Sequence, residues 1–424
     1  MYGGVDQLTG KEMRLRETVT ARATKRETER EAIKVQTRLL NQVDERRSPK
    51  TEATVNQLLD RWLDVIDIEK TTRTGYVGKI EKHIRPTVGR LAVGRVKAET
   101  IEGLYAQLRR CRDHCRGEKF VQHRTSGEHV CDEHSSRRKC AKETTGDSAA
   151  RCRWCDRRCG QHQCTPLSAG SIRVVHAILS GAFTRAVRWG WIAVNPIEQT
   201  EPPAVPQPDP DPPTPEEAAL ILTEAWKDPE WGLFLWTTLT TGARRGEMCN
   251  LRWSRLDLIN GVVIFKHSAA QIGGDVWEKD VKTHQGRRVT LDDQLVELLR
   301  SHRAMSERRA QALNTTVRRD GFVFSPSPDC AERIRPDTVT QRYGRLAKRL
   351  GIETHLHCLR HYSATELIAA GVDVRTVAGR LGHSGGGSTT LRIYTAFVAE
   401  ADQRAATALA ARRPLPVRLP PATP

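Results

Sequence analysis

The sequence predicts a mainly α protein with a small β-sheet, an α+β chain of two helical domains joined by a proline-rich linker. Three observations lead there. Apolar residues recur at helical spacing through much of residues 54–200 and 216–411, with capping residues where several runs begin. Strand-like runs in the second region are confined to residues 262–291. Between the two regions, Pro202-Pro203 opens a segment ending at Pro215, with five prolines from Pro206 to Pro213. Such a segment is too stiff for a core element and long enough to bridge domains around a rod-like ligand. At 424 residues the chain has room for two or three domains, each with its own core.

Taken in order, residues 1–50 read as a small basic unit. Tyr2-Gly3-Gly4-Val5 and Met13–Val19 are predicted strands joined by the turn Asp6–Lys11. A helix follows from Lys25 to about Glu45, with Ile33, Val35, Leu39, Leu40 and Val43 as a broken apolar stripe. In the region 54–200, Thr54 is placed to N-cap a helix over Val55–Ile68, and a second helix runs from Thr72 to Ile84 before Pro86 stops it. A third spans Ala98–Arg110. A fourth spans Ser168–Trp191, with Val174, Ile178, Ala182 and Val187 as its stripe. The stretch 111–164 interrupts these last two like an inserted hairpin. After a linker at 201–214, Thr214 as N-cap, Pro215 at the first helical position and Glu217 completing a capping box open the second domain, 215–411. It reads helix, helix, then strands at Val262–Lys266, Asp275–Lys279 and Arg287–Leu291, then several helices. The proline-rich tail Arg412–Pro424 is expected to be disordered.

Lys and Arg total 68 against 51 Asp and Glu, a net charge of +17. That surplus favours a polyanionic partner, since each phosphate contact releases condensed counterions. No stretch approaches the roughly 20 apolar residues of a membrane span, and the N-terminus lacks an apolar secretory segment, so the expected location is the cytoplasm. Of eleven cysteines, eight lie between Cys111 and Cys164. In a reducing compartment they point to metal binding or free thiols. Cys111-x3-Cys115 and Cys152-x2-Cys155-x3-Cys159-x4-Cys164 have ligand-like spacings. With Cys131 and Cys140 they make eight thiols, enough for two four-sulfur structural zinc sites, and His114, His134 and His162 lie close by.

The chemistry-bearing phrases lie in the second domain. Thr241-Gly242-Ala243-Arg244-Arg245-Gly246-Glu247 puts Arg244 at a helix–helix corner, where it either turns into a cleft or pairs on the surface with Glu247. Arg245 and Arg252 are assigned to the solvent or DNA face. Lys282-Thr283 lies on a turn between two strands, with Lys279 as a rival. In His357-Cys358-Leu359-Arg360-His361, His357 and Arg360 are three apart and share a helical face, which His361 joins either to pack or to bond a backbone carbonyl. In Leu381-Gly382-His383 the glycine ends a helix and turns His383 inward. Tyr394 follows eleven residues later, beyond the N-capping run Ser388-Thr389-Thr390 and before a helix at about Val398–Ala411. Guanidiniums to hold a phosphate, a tyrosine to attack it and acid/base groups to move protons form the inventory for breaking and rejoining a DNA strand without a metal. Arg342, Arg345, Lys348 and Arg349, on a helix from Thr338 to Leu350, are expected to touch phosphates or bases.

In this order the phrases resemble the tyrosine recombinases of the phage-integrase family, in particular integrases of actinobacterial phages and mobile elements, over roughly residues 54–411. The family's pattern falls on Arg244, Lys282, His357, Arg360, His383 and Tyr394. The resemblance implies a core-binding domain at 54–200, a catalytic domain at 215–411 and an arm-site DNA-binding unit at 1–50. The Gly385-Gly386-Gly387 stretch and the cysteine block depart from the minimal family plan. It also implies site-specific recombination through a 3′-phosphotyrosyl intermediate, with no cofactor for catalysis. The partners it implies are double-stranded attachment-site DNA, three further copies of the chain in a homotetramer, and DNA-bending or directionality factors. A type IB topoisomerase shares the chemistry, and a non-catalytic DNA-binding regulator shares the binding surface; these are the alternatives.

Overall fold

The computed structural model describes residues 2–5, 12–14, 16–21, 24–44, 52–123, 159–206, 211–280, 286–383, 387 and 390. The chain divides into two compact units between Pro206 and Gln207, inside the proline-rich stretch. Among the described residues no helix is long and apolar enough to cross a membrane.

The first unit opens with strands β1 (Tyr2–Val5) and β2 (Glu12–Arg14), paired antiparallel with Tyr2 opposite Arg14. Arg16–Val19 lie outside the strand predicted for them, and Glu17 pairs instead with Arg38. Helix α1 (Lys25–Asp44) follows. Its expected apolar stripe is not a core: Ile33 is 60% exposed, and none of its described side chains is buried.

Helix α2 (Val55–Val65) starts where predicted, with Thr54 and Gln57 completing a capping box. It stops earlier than expected, because Ile66 turns to an extended conformation and packs against the core. Helix α3 (Lys70–Lys79) passes into a π-helical turn, Ile80–Ile84, that ends before Pro86. Helix α4 (Ala98–Arg110) and helix α5 (Ala169–Arg188), N-capped by Ser168, flank the cysteine-rich insertion. Within it, β3 (Val121–Gln122) pairs antiparallel with β4 (Gly160–Gln161). The buried face of α5 is Ile172, Val175, Ile178, Leu179, Ala182, Phe183 and Ala186, while Val174 is 36% exposed. Ile178 and Ala182 of the predicted stripe are thus buried but Val174 and Val187 are not, since the face recurs at three and four residues from Ile172. These side chains meet Leu58, Leu59 and Trp62 of α2, and Ile101, Leu104 and Leu108 of α4, in one core. Each fully buried aliphatic contributes about 1.5–3 kcal/mol.

The second unit begins with helix α6 (Pro215–Ala225), whose Thr214/Glu217 capping box is present. Helix α7 (Pro229–Thr241), capped by Asp228, and the short helix α8 (Arg245–Cys249) follow. Strands β5 (Leu256–Asp257), β6 (Val262–Phe265) and β9 (Arg287–Thr290) make one antiparallel sheet in the order β5-β6-β9. Strands β7 (His267–Ile272) and β8 (Asp275–Asp280) make a separate hairpin. The sequence concealed β7, because His-Ser-Ala-Ala-Gln-Ile has little β-branched character; its register with β8 supplies the strand. The turn expected at Lys282 falls on residues 281–285, outside the described residues, and the strands on either side of it, β8 and β9, belong to different sheets. Helices α9 (Asp293–Ala312), α10 (Pro336–Leu350), α11 (Cys358–Ala369) and α12 (Val374–Leu381) complete the described unit. Trp231, Phe234, Phe265, Leu295, Leu299, Phe324, Tyr343 and Leu359 belong to its main core, and Ala364, Ile368, Val377 and Leu381 pin α11 to α12.

Candidate active site

Two helix ends make the floor of the site. Helix α7 ends on Gly242 at φ 60°, where a β-carbon would overlap the buried Leu381 side chain, and α12 ends on Gly382 at φ 67°. A left-handed residue costs glycine little and leaves the last carbonyls of the helix without helical partners. Arginines from other elements take them. Arg360 donates from Nη1 to the Gly242 carbonyl at 2.5 Å and from Nη2 to the Leu381 carbonyl at 2.6 Å. Arg244 donates from Nη2 to the Gly382 carbonyl at 2.9 Å. Arg380 reaches the Thr240 carbonyl at 2.9 Å and the Thr290 carbonyl at 3.1 Å. Cations complement the partial negative charge of a helix C-terminus, so the packing that joins α7 to α12 also gathers positive charge.

A buried carboxylate sets Arg244. Glu247, 1% exposed, accepts the Arg244 backbone N–H at 2.8 Å and Nη1 at 2.9 Å, and also Arg287 Nη1 at 2.7 Å. Burial pushes the Glu247 carboxyl up, but Arg287 and then Arg244 outweigh it and hold it below the usual carboxylate range. The sequence offered Arg244 two fates, pairing with Glu247 or entering a cleft, and the structure shows the pairing, with the side chain still 33% exposed. Arg287 lies over the Phe265 ring at 4.6 Å, and its Nε and Nη2 are buried with no hydrogen-bond partner among the described residues. A β-carbon at position 382 would come within 3.0 Å of Arg287 Cδ, so Gly382 is also needed for space.

The histidines ring this cluster. His357 is the N-cap residue of α11 and meets His361 edge to face, ring centroids 5.0 Å apart. Desolvation, then the nearby His361, Arg360, His355 and Arg244, push its imidazole down to about 4. The residue is nonetheless solvent-exposed, so the surrounding positive charge is the part of that shift that persists. His383 bonds through Nδ1 to the hydroxyl of the buried Thr390 at 2.7 Å. Burial, then Arg360, Arg244 and His357, push it down to about 4 as well. Both rings are neutral at neutral pH, and both feel the same two arginines.

Of the six residues singled out for catalysis, the structure brings Arg244, His357, Arg360 and His383 together from three separate segments, His357 and Arg360 sharing the start of α11. Lys282 and Tyr394 lie outside the described residues. Lys279, the rival lysine, is in β8 opposite Ser268. Arg245 is exposed and bonds Thr340, but Arg252 is committed inward, to Glu278, Asp320 and the face of Phe322. Arg342 and Arg349 likewise pair with Asp228 and Glu224, with Arg342 over the Trp231 ring. They hold α10 to its neighbours, so the basic face read from α10 is partly neutralised. Sequence reasoning placed Arg287 only in a basic strand, Glu247 only in a surface pair and Thr390 only in an N-capping run; burial singles them out for the site.

In the insertion, Cys111, Cys115 and Cys164 gather with His162 in the fourth place, their ligand atoms within 4.8 Å of one another. Cys159 is buried but is not in this group. His162 and Cys164 are two apart in extended chain and share a side, whereas Cys159 is three residues before His162. Cys131, Cys140, Cys152 and Cys155 lie outside the described residues.

Residues 216–400 match the phage integrase family. A tyrosine recombinase XerC of Xylella fastidiosa is 30% identical over 233 residues, covering 54% of this chain and 70% of that protein. A XerC-like tyrosine recombinase of Caldanaerobacter subterraneus is 26% identical over 255 residues, covering 54% of this chain; the chain spans only 62% of that relative's length. A solved Tn1549 transposon integrase in complex with transposon right-end DNA superposes with a TM-score of 0.57 at 16% identity, over 83% of this chain and all of that one. That likeness shows a shared fold. With a shared fold and a 30% identical relative spanned over more than two thirds of its length, the chain belongs to the phage integrase family of tyrosine recombinases.

Proposed function

We propose that the protein is a site-specific DNA recombinase of the integrase type, cutting and rejoining strands through a 3′-phosphotyrosyl intermediate. The observation that carries this reading is the convergence of Arg244, Arg360, His357 and His383 at the two glycine-capped helix ends. Planar, always-charged donors suit the non-bridging oxygens of a phosphodiester, whose negative charge grows in the transition state. In this reading the Tyr394 oxygen attacks phosphorus and the bond to the 5′-oxygen breaks. His357, neutral and ringed by cations, accepts the phenol proton, and Lys282 protonates the departing oxygen. His383, oriented by Thr390, donates to the phosphate. An entering phosphate adds negative charge beside both imidazoles, which raises their affinity for a proton at the moment one must be held. The phosphotyrosyl bond conserves the energy of the phosphodiester, so religation requires no nucleotide and no metal.

Double-stranded DNA is the partner the charge of +17 suits, and exchange of both strands of two duplexes calls for four protomers. The test is a nicked suicide substrate carrying a candidate attachment site. A covalent protein–DNA adduct that disappears in Tyr394→Phe supports the reading. Binding without adduct overturns it in favour of a regulator, and relaxation of any supercoiled DNA without paired sites overturns it in favour of a topoisomerase.

A further inference from the structure

We infer that Cys111, Cys115, His162 and Cys164 form one closed structural zinc site at the root of the insertion between α4 and α5. The four ligand atoms lie within 4.8 Å of one another, with Cys115 and Cys164 sulfurs 3.3 Å apart and Cys111 Sγ 3.2 Å from His162 Nε2. Zinc at about 2.3 Å from sulfur and about 2.0–2.1 Å from nitrogen spaces tetrahedral ligands about 3.5–3.8 Å apart. The cluster therefore needs only small adjustments to close on the ion. Three thiolates with one imidazole is a soft donor set suited to zinc, and with every position filled by protein the site is structural.

The backbone is built to bring these groups together. Cys111 is the C-cap of α4, and the chain reverses through left-handed His114, Arg116 and Gly117. The β3–β4 ladder then returns it, with the His162 N–H bonded to Phe120 O at 2.8 Å. Two further bonds, Arg112 N–H to Thr165 O at 2.8 Å and Leu167 N–H to Leu108 O at 2.9 Å, fasten the end of α4 to the approach to α5. The His162 side chain is 2% exposed and stacked on Phe120, its ring centroid 4.5 Å away. Its Nδ1 is buried with no hydrogen-bond partner among the described residues, and Asp113 Oδ2 stands 4.0 Å from it. Metal on Nε2 would fix the proton on Nδ1, and a small shift of Asp113 would accept it, the usual carboxylate–histidine–zinc arrangement. The site thereby ties the two ends of the insertion together, removing loop-closure entropy at its root.

The test uses the full chain, purified without added metal. Elemental analysis should find zinc, and the double variant Cys115→Ser/Cys164→Ser should hold one equivalent fewer per chain than the parent. The difference is the reading, because other cysteines of the insertion are also available to metal. His162→Cys should retain that equivalent. After cobalt(II) substitution it should show thiolate-to-cobalt absorption stronger by about a third at this site, four sulfurs replacing three. If the double variant does not fold, the parent and His162→Cys spectra decide alone. A zinc-free parent with Cys115 and Cys164 joined in a disulfide overturns the inference. So does a double variant as zinc-rich as the parent, or a His162→Cys variant that has lost its equivalent. None of these outcomes depends on whether the chain recombines DNA.

Discussion

Arg360 ties two helix ends with one side chain, and that double duty separates it from Arg244. It is 2% exposed and spans the Gly242 and Leu381 carbonyls, a geometry that needs the planar fork of a guanidinium. Arg360→Lys is expected to lower single-turnover cleavage of a suicide substrate by about 10²–10³, by analogy with loss of a preorganised oxyanion donor, and to lower Tm as well. Arg244→Lys, at a half-exposed position, should cost a similar factor in cleavage with Tm close to the parent. Equal thermal losses in both would show that Arg360 has no special structural part. Beneath them, Glu247→Gln leaves the buried Arg287 cation without its counter-charge. Breaking a buried pair on one side costs about 3–5 kcal/mol, measurable by denaturant unfolding.

Protonation acts in one direction on histidines of each unit, His83 in the first and the site pair in the second. His83, His357 and His383 are each lowered to about 4, in every case by desolvation first and neighbouring positive groups after it. An unfolded chain takes up protons at these residues as pH falls below about 6.5, while folded His83 and His383 do not until about 4, and exposed His357 is shifted in the same direction by less. Stability is therefore full above about 6.5 and declines through that window. Glu247 adds to the loss at lower pH: its carboxyl is held below the usual range, so its contribution is present above about 4.5 and is lost as pH falls through the depressed value. Tm should fall steadily from pH 6.5 to 4, and less steeply in His383→Gln. A Tm independent of pH over that window would contradict the neutral, charge-crowded imidazoles described here.

At the scale of elements, helix ends decide the site. Gly242 and Gly351 both end helices in the left-handed region, at φ 60° and 70°. A β-carbon at Gly351 meets nothing within 4 Å, whereas one at Gly242 overlaps Leu381, which is fully buried. Gly351→Ala should therefore show only the left-handed penalty, roughly 1–2 kcal/mol. Gly242→Ala should show that plus an overpacking cost of about 1–3 kcal/mol, with loss of cleavage, because α12 and its His383 must move. The two unfolding free energies, measured side by side, check this. Elements were also where local pattern succeeded and failed most plainly. Thr54, Ser168, Thr214 and the two site glycines marked helix boundaries, because capping is chemistry between near neighbours in sequence. Strand β7 was illegible and the face of α5 only half legible, with Ile178 and Ala182 buried as expected but Val174 exposed, because each is defined by what it packs against.

For the whole molecule, excess charge and its placement govern the proposed DNA binding. A chain at +17 should lose affinity steeply with salt, with log K falling by about 0.9 per neutralised phosphate for each unit of log salt. Arg342 and Arg349 are spoken for by Asp228 and Glu224. Arg349→Ala should therefore leave the salt slope unchanged within about one phosphate, while alanine at exposed Arg245, on the element that carries Arg244, should reduce it. Binding isotherms at several salt concentrations distinguish the two.

The sequence alone determined the chemical inventory: two arginines, two histidines, a lysine and a tyrosine in ordered local phrases, the glycines that end their helices, and a surplus of positive charge. These are properties of composition and of residues a few positions apart. Only the tertiary structure decided that Arg360 would bridge Gly242 to Leu381, that Glu247 would fasten Arg287 as well as Arg244, and that His162 and not Cys159 would join the cysteine cluster. Those partners lie tens to more than a hundred residues apart along the chain. Which of them meet is fixed by how helices and strands pack, and no local pattern encodes that.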